Sequence, residues 1–163
     1  MKKVLIITDG SCSGNPGPGG WSAILQYKNT EMAIGGNAAN TTNNQMELTA
    51  VINALQALKE ACEVIVITDS AYIANTANGG WIRKWGSRGW QTASNKPVKN
   101  RELWEVVAQL IKRHDVKFQH VRGHAGNYLN ERADSAARKM CEQAKNGKIV
   151  HKVILEKPNV ITV

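Results

Sequence analysis

Val4-Leu5-Ile6-Ile7-Thr8-Asp9 and Val64-Ile65-Val66-Ile67-Thr68-Asp69 are the two stretches on which the fold turns. Both are short apolar runs rich in β-branched residues, and both close on the tripeptide Ile-Thr-Asp. Continuous runs of this kind read as strands buried on both faces, at the centre of a sheet flanked by helices. As parallel neighbours they would hold their ends about 4.8 Å apart. Asp9 and Asp69 would then meet at the carboxyl edge of the sheet, where open α/β sheets bind their ligands.

Between the two runs, residues 10–20 are dense in Gly, Ser and Pro and read as a cluster of turns. They are no phosphate-binding loop, because the Gly-Lys-Ser/Thr ending is missing and a strand-like run, Trp21 to Tyr27, follows in place of a helix. A short third strand is expected over residues 31–36. A helix is expected from about Gln45 to Glu60, with Ala50, Val51, Ala54, Leu55 and Leu58 on one face. Glu47 projects from the head of that apolar stripe, an unusual place for a carboxylate, since Glu is rarely buried without a partner.

A second helix should begin near Ser70, another covers about Glu102 to Arg113, Val116 to Val121 reads as a last strand, and Asn130 to Lys145 closes the pattern as a helix. Residues 123–126, Gly-His-Ala-Gly, read as a loop. Residues 146–163 alternate like a strand but carry no motif.

At 163 residues the chain suits one domain with a substantial core. Its 42% apolar and 21% charged residues exclude a disordered chain, and no repeat suggests a solenoid. Cys12, Cys62 and Cys141 are odd in number and widely spaced, which suggests neither a zinc site nor a disulfide framework. The opening residues do not read as a secretory signal, and no stretch approaches the roughly 18 apolar residues of a membrane span. A cytoplasmic protein with no membrane partner is the expectation. Asn40-Thr41-Thr42 matches a glycosylation acceptor but reads as a loop in that compartment. The net charge of +8 favours an acidic partner, nucleic acid or an anionic surface.

Asp134, near the start of the last helix, adds a fourth acid to Asp9, Glu47 and Asp69. Taken singly, an Asp between strand and helix is most often a cap, and a helix-borne Asp is most often solvated. Together, four carboxylates facing one space repel unless cations neutralise them. Oxygen ligands without cysteine select magnesium or manganese, and two such ions about 4 Å apart suit phosphoryl transfer. An acidic cluster inside a basic protein points to a nuclease.

Several linked segments carry a resemblance: Thr8-Asp9-Gly10-Ser11-Cys12, Asn15-Pro16-Gly17-Pro18-Gly19-Gly20-Trp21, Thr42-Asn43-Asn44-Gln45-Met46-Glu47-Leu48, Thr68-Asp69-Ser70, and Val121-Arg122-Gly123-His124-Ala125-Gly126 with Asn130-Glu131-Arg132-Ala133-Asp134. In this order they resemble bacterial type 1 ribonuclease H, from residue 3 to about residue 145. The resemblance implies an α/β ribonuclease H-like fold, with a mixed five-stranded sheet and helices on both faces. The catalytic domain would cover residues 1–145, leaving 146–163 as a tail of unassigned role. It implies Asp9, Glu47, Asp69 and Asp134 as metal-binding catalytic carboxylates and His124 as a loop residue assisting proton transfer or product release. It further implies hydrolysis of the RNA strand of RNA–DNA hybrids with two Mg2+ ions, for which Mn2+ can substitute, leaving 5′-phosphate and 3′-hydroxyl ends. A monomer is expected.

Residues 81–101 hold Arg83, Lys84, Arg88, Lys96, Lys99 and Arg101 with no acid, interleaved with Trp81, Trp85 and Trp90. An amphipathic helix with core tryptophans accounts for part of this pattern, and a cationic face for phosphates accounts for the rest. The segment resembles the family's basic handle, though Gly86, Ser87, Gln91, Ser94 and Asn95 thin its charge. The same resemblance suggests Cys12, Asn15, Asn43, Asn44 and Gln45 as minor-groove readers of the 2′-hydroxyl. Ala71 stands where the family often carries a base-contacting Gln. Two rivals stay open from sequence, another nuclease on the same fold and a non-catalytic hybrid-binding module.

Overall fold

A computed structural model describes residues 1–122 and 127–160. The elements, in chain order, are β1 (Lys2–Cys12), β2 (Gly17–Tyr27), β3 (Thr30–Thr41), α1 (Asn43–Gln56), β4 (Cys62–Thr68), α2 (Ala71–Asn78), α3 (Trp81–Ser87), α4 (Arg101–Arg113), β5 (Asp115–His120), α5 (Tyr128–Lys145) and β6 (Val153–Val160). The strands form one mixed sheet in the order β5-β4-β1-β2-β3-β6. β1 and β4 are parallel neighbours with Ile7 opposite Ile67, which brings the two Ile-Thr-Asp ends side by side. β5 continues the parallel half beyond β4, and β2, β3 and β6 are antiparallel additions on the other side.

Alternation along β1 divides the core in two. Val4 and Ile6 join Leu48, Val51, Leu55, Val66 and Trp104 beneath α1 and α4, whereas Ile7 joins Ile24, Ala33 and Ala133 beneath α5. Helices therefore cover both faces, as a continuous apolar run requires. The cover is uneven over β4: α5 packs on β1, β2 and β3, and Ile65 of β4 keeps 42% of its surface exposed. The reading of the second run as buried on both faces holds only in part.

Two further expectations change. β1 continues through Cys12 and β2 begins at Gly17, so most of the Gly-rich stretch is strand and the turn shrinks to residues 13–16. Its glycines permit close approach. A Cβ on Gly20 would lie 2.3 Å from the Cys141 backbone N and 2.6 Å from the Ala137 backbone O, so α5 packs directly on the β2 backbone. The strand-like alternation within residues 146–163 is realised as β6, but its place in the sheet was not expected: it makes a sixth strand where five were expected, and it pairs Ile154 with Ile34 of β3. A side-chain knot locks it there: Arg132 of α5 pairs with Glu31 of β3 and, at 2.7 Å, with Glu156 of β6. Asn37 adds a second tie, accepting from Val150 N at 2.6 Å and donating to the carbonyls of Met140 and Lys148.

Candidate active site

The site grows from the edge where β1 and β4 end. Asp9 sits within β1, opposite Ser22 of β2, and is 3% exposed. It is a strand residue and no helix cap. Asp69 follows β4 and is half-buried, and the cap of α2 is Ser70, whose hydroxyl accepts from Ile73 N at 3.2 Å. Glu47, 2% exposed, lies in the second turn of α1.

Helix α1 starts where it does because Thr42 and Gln45 form a capping box. The Thr42 hydroxyl accepts from Gln45 N, and the Gln45 side-chain oxygen accepts from Thr42 N, both at 3.2 Å. The Thr-x-x-Gln spacing carries that signal, which the reading of the sequence passed over. It fixes the register that turns Glu47 toward the sheet.

Gly10 explains how Glu47 reaches Asp9. A Cβ at Gly10 would lie 2.8 Å from the Glu47 backbone N and 3.0 Å from the Met46 Cβ, so only glycine lets α1 come this close to β1. Gly10→Ala should force the helix start away, at a stability cost of about 1–3 kcal/mol typical of overpacking. We expect a lower Tm together with at least a tenfold loss of divalent-ion affinity, on the order of 1.4 kcal/mol, measured by calorimetric titration. Unchanged ion affinity in a folded Gly10→Ala protein would contradict the role given to this contact.

Asp9, Glu47 and Asp69 each offer a carboxylate oxygen, and these oxygens lie within 4.8 Å of one another. The Gly10 N–H donates to Asp9 Oδ1 at 2.9 Å, but Asp9 Oδ2 and Glu47 Oε2 are buried without a protein donor. Burial and the Asp69 charge, with a further push from Asp134, raise the Asp9 carboxyl to about 7 against the pull of its bonds to Glu47 and Gly10. Burial, then the charges of Asp9 and Asp69, also holds the Glu47 carboxyl well above its ordinary range. Without a cation, a proton shared by the two carboxyls relieves the repulsion. A hard divalent cation satisfies the same oxygens in their charged form, and the all-oxygen donor set suits it. The residues present fit such an ion.

Asp134 lies on α5, half-buried, outside that trio; its Oδ2 meets Arg138 Nε at 3.1 Å, one helical turn on. Its charge is nevertheless felt at Asp9. The expected role of His124 falls outside the described residues.

The proposed groove readers are partly occupied in holding α1. Asn15 Oδ1 accepts from Asn43 N at 3.0 Å, and Gln45 Oε1 also accepts from the Thr41 hydroxyl at 3.0 Å. Cys12 is half-buried; its thiol points to the carbonyls of Thr41 and Gly17, at 3.3 and 3.5 Å, and burial raises its pKa. Asn43 is exposed and Asn44 half-buried in the first turn of α1.

The basic segment folds as α3 followed by a tight loop in which Gln91 bridges Pro97 and Val98 is buried. Trp85 packs at a tilt against Trp90, with ring centroids 6.4 Å apart, and at 6.2 Å against Trp104, which is fully buried at the base. Trp81 differs: it is 46% exposed, with the Lys84 ammonium 4.8 Å above its ring. Arg83, Lys84, Arg88, Lys96 and Lys99 are exposed, whereas Arg101 is engaged by Glu105 at 2.8 Å.

A parallel strand pair and an adjoining helix that gather buried oxygens at one sheet edge define a class, the α/β enzymes that take hard divalent cations at an acidic centre. The comparisons make this specific. The RNase H family profile matches residues 1–142. The Ribonuclease H of Chelativorans sp. (strain BNC1) is 57% identical over 138 residues, covering 85% of each chain. Among solved structures, LC9-RNase H1, a type 1 RNase H with the type 2 active-site motif, superposes with a TM-score of 0.79 at 29% identity over 98% of this chain and 77% of its own. LC11-RNase H1, solved in complex with an RNA/DNA hybrid, shares the fold, with a TM-score of 0.62 at 24% identity over 87% of this chain and 99% of its own. The chain belongs to the RNase H family, on its bacterial type 1 branch, and is by class a ribonuclease. The end of α5 and all of β6 lie beyond the matched residues.

Proposed function

We propose that this chain is an endonuclease that hydrolyses the RNA strand of RNA–DNA hybrids at the Asp9, Glu47 and Asp69 cluster, leaving 5′-phosphate and 3′-hydroxyl ends. The observation that carries the reading is the set of carboxylate oxygens within 4.8 Å of one another, on a trio in which Asp9 and Glu47 each also keep a buried oxygen without a donor. Asp9, Glu47 and Asp69, with Asp134 beside them, would hold two Mg2+ ions, for which Mn2+ can substitute. When bound, the ions supply Lewis acidity toward water and neutralise charge developing at the scissile phosphate.

The chain's own groups do the rest. Burial of Asp9 and Glu47 keeps water from competing for their oxygens, and Gly10 N–H holds the Asp9 carboxylate in one orientation. Asp134, held by Arg138 at the rim of the cluster, completes the negative lining. His124 would assist proton transfer or product release. Asn15, Asn43, Asn44 and Gln45 would approach the minor groove; with the Asn15 and Gln45 amide oxygens committed to α1, their NH2 groups suit a 2′-hydroxyl acceptor. Cys12 would contribute van der Waals contact more than hydrogen bonds. The protein would act in the cytoplasm, as a monomer.

Exposed Lys84, Arg88, Lys96 and Lys99, on a base of Trp85 and Trp90 and beside the open ring of Trp81, form a handle for the phosphate backbone. Replacing Lys96 and Lys99 together by Ala should weaken hybrid binding and reduce the slope of log affinity against log salt by about 2, near 0.9 per lost phosphate contact. Affinity measured across a salt series checks this; a collapse of turnover at saturating hybrid with the salt slope intact would refute the handle assignment. The function is tested by resolving the products of labelled RNA in hybrid, in duplex RNA and against duplex DNA across a Mg2+ titration. Cuts confined to RNA in the hybrid and dependent on Mg2+ support the proposal. Cutting of duplex DNA, or binding without cutting, would replace it by another nuclease or a binding module.

A further inference from the structure

Three contacts converge on one hydroxyl between the acidic centre and the handle. Tyr72 lies in the first turn of α2, three residues beyond Asp69. Its phenolic oxygen accepts from Trp104 Nε1 at 2.7 Å and from Asn100 Nδ2 at 3.2 Å. Its ring also meets Trp104 edge-on, with centroids 5.8 Å apart. Trp104 is the floor against which Trp85 packs, and Asn100 is the residue through which the chain returns from the handle into α4.

Asn100 is unusual for a helix cap. Its backbone is left-handed, with φ 60°, and its side chain makes no capping bond to α4. The side chain turns instead to Tyr72. Both roots of the handle, its tryptophan floor and its returning loop, are thus tied to a residue whose helix starts at the acidic edge.

We propose that Tyr72 is a positioning residue that sets the handle in register with the acidic centre, so that a long hybrid meets both at once. The proposal rests on the hybrid-nuclease reading above. Trp104 is fully buried, so its indole N–H has no alternative partner in water, and removing the hydroxyl orphans that donor. The ring of Phe preserves the edge contact and the volume. What changes is the preference of the handle for one orientation, while the carboxylates stay in place. A correctly placed second contact raises the local concentration of the first, and a misplaced one loses that advantage without altering the chemistry.

The test compares Tyr72→Phe with the wild-type chain on two hybrids. One is roughly 20 base pairs; the other is roughly 6, about 20 Å at 3.4 Å per pair, too short to engage the handle while it is being cut. For Tyr72→Phe we expect KM on the long hybrid to rise roughly five- to tenfold, the scale of one lost buried hydrogen bond. The kcat should stay within about twofold on this scale, and both constants should be unchanged on the short hybrid. In the free protein the Trp104 indole N–H resonance should move to the position of a non-bonded donor, with the Trp85 and Trp90 resonances broadened. Asn100→Gly, which keeps the left-handed backbone but removes the second donor, should show a smaller shift of KM on the long hybrid alone.

A lower Tm with equal losses on both hybrids would make Tyr72 merely structural and overturn the proposal. A fall in kcat on the short hybrid would overturn it too, by placing the effect at Asp69. Wild-type protein that cuts neither hybrid would remove the nuclease reading itself, a result distinct from wild-type cutting that Tyr72→Phe leaves untouched.

Discussion

Asp9→Asn should reduce cleavage of hybrid RNA by roughly 10²- to 10³-fold or more, on the scale of losing a principal group that stabilises transition-state charge. Hybrid binding in low salt should survive. The substitution is close to isosteric, and its amide oxygen can keep the 2.9 Å bond from Gly10 N–H, so the end of β1 has no reason to move. What disappears is one negative charge from a trio whose oxygens lie within 4.8 Å of one another. Two acids hold a hard divalent cation far less well than three. Asp69→Asn should behave alike, with a smaller folding effect because Asp69 is only half-buried. Binding should persist because, on the handle reading proposed above, the exposed cations would carry much of the salt-dependent affinity. Single-turnover cleavage over a Mg2+ series, with affinity measured in the same buffer, provides the check. Near-normal turnover by either variant at moderate Mg2+ would dismiss the carboxylate assignment.

Why these acids were readable in the sequence, and others of their contacts were not, has a physical basis. Asp9 and Asp69 were visible because a parallel pair in register repeats its sequence, and Ile7 opposite Ile67 makes that repeat a distance. Glu47 stood out as a carboxylate on an apolar stripe, an energetic anomaly that only a site resolves. Its approach to Asp9 was illegible, since it depends on the missing side chain of Gly10, and a glycine in a Gly-rich stretch looks like a turn. The tie of the Asn15 oxygen to the helix start was equally hidden, because a hydrogen bond between residues 28 apart leaves no local pattern, whereas the Gln45 oxygen was legible in the Thr-x-x-Gln spacing and passed over. The alternation of β6 was legible, but its pairing with β3 was not, for a related reason. Its place depends on Arg132, Glu31 and Asn37, polar residues far away in the chain whose partners only the fold reveals. The tryptophan pattern near the handle was half legible: spacing announced that Trp85 packs, but not that Trp81 stays open beneath Lys84.

Repulsion within the trio leads to the second large effect, on stability. In ion-free protein the Asp9 carboxyl is raised from 3.8 to about 7, chiefly by burial and then by Asp69. A folded-state pKa above the unfolded value means that the native state binds the proton more tightly. The contribution to stability is therefore full below the unfolded pKa, near 4, shrinks as pH rises, and is gone above about 7. At about 1.4 kcal/mol per unit, the difference between the ends of that window is on the order of 3–4 kcal/mol. Denaturant unfolding in chelator should thus show wild-type protein losing more stability from pH 5 to 8 than Asp9→Asn, which lacks the Asp9 proton and relieves the Asp9 charge on Glu47. At pH 8 Asp9→Asn should be the more stable of the two. Saturating Mg2+ should narrow the gap, since the cation binds the ionised native site and stabilises it by mass action. Parallel pH profiles for the two proteins in chelator, with Mg2+ stabilising both equally, would mean that Asp9 ionises without strain and that the acidic edge holds no cation.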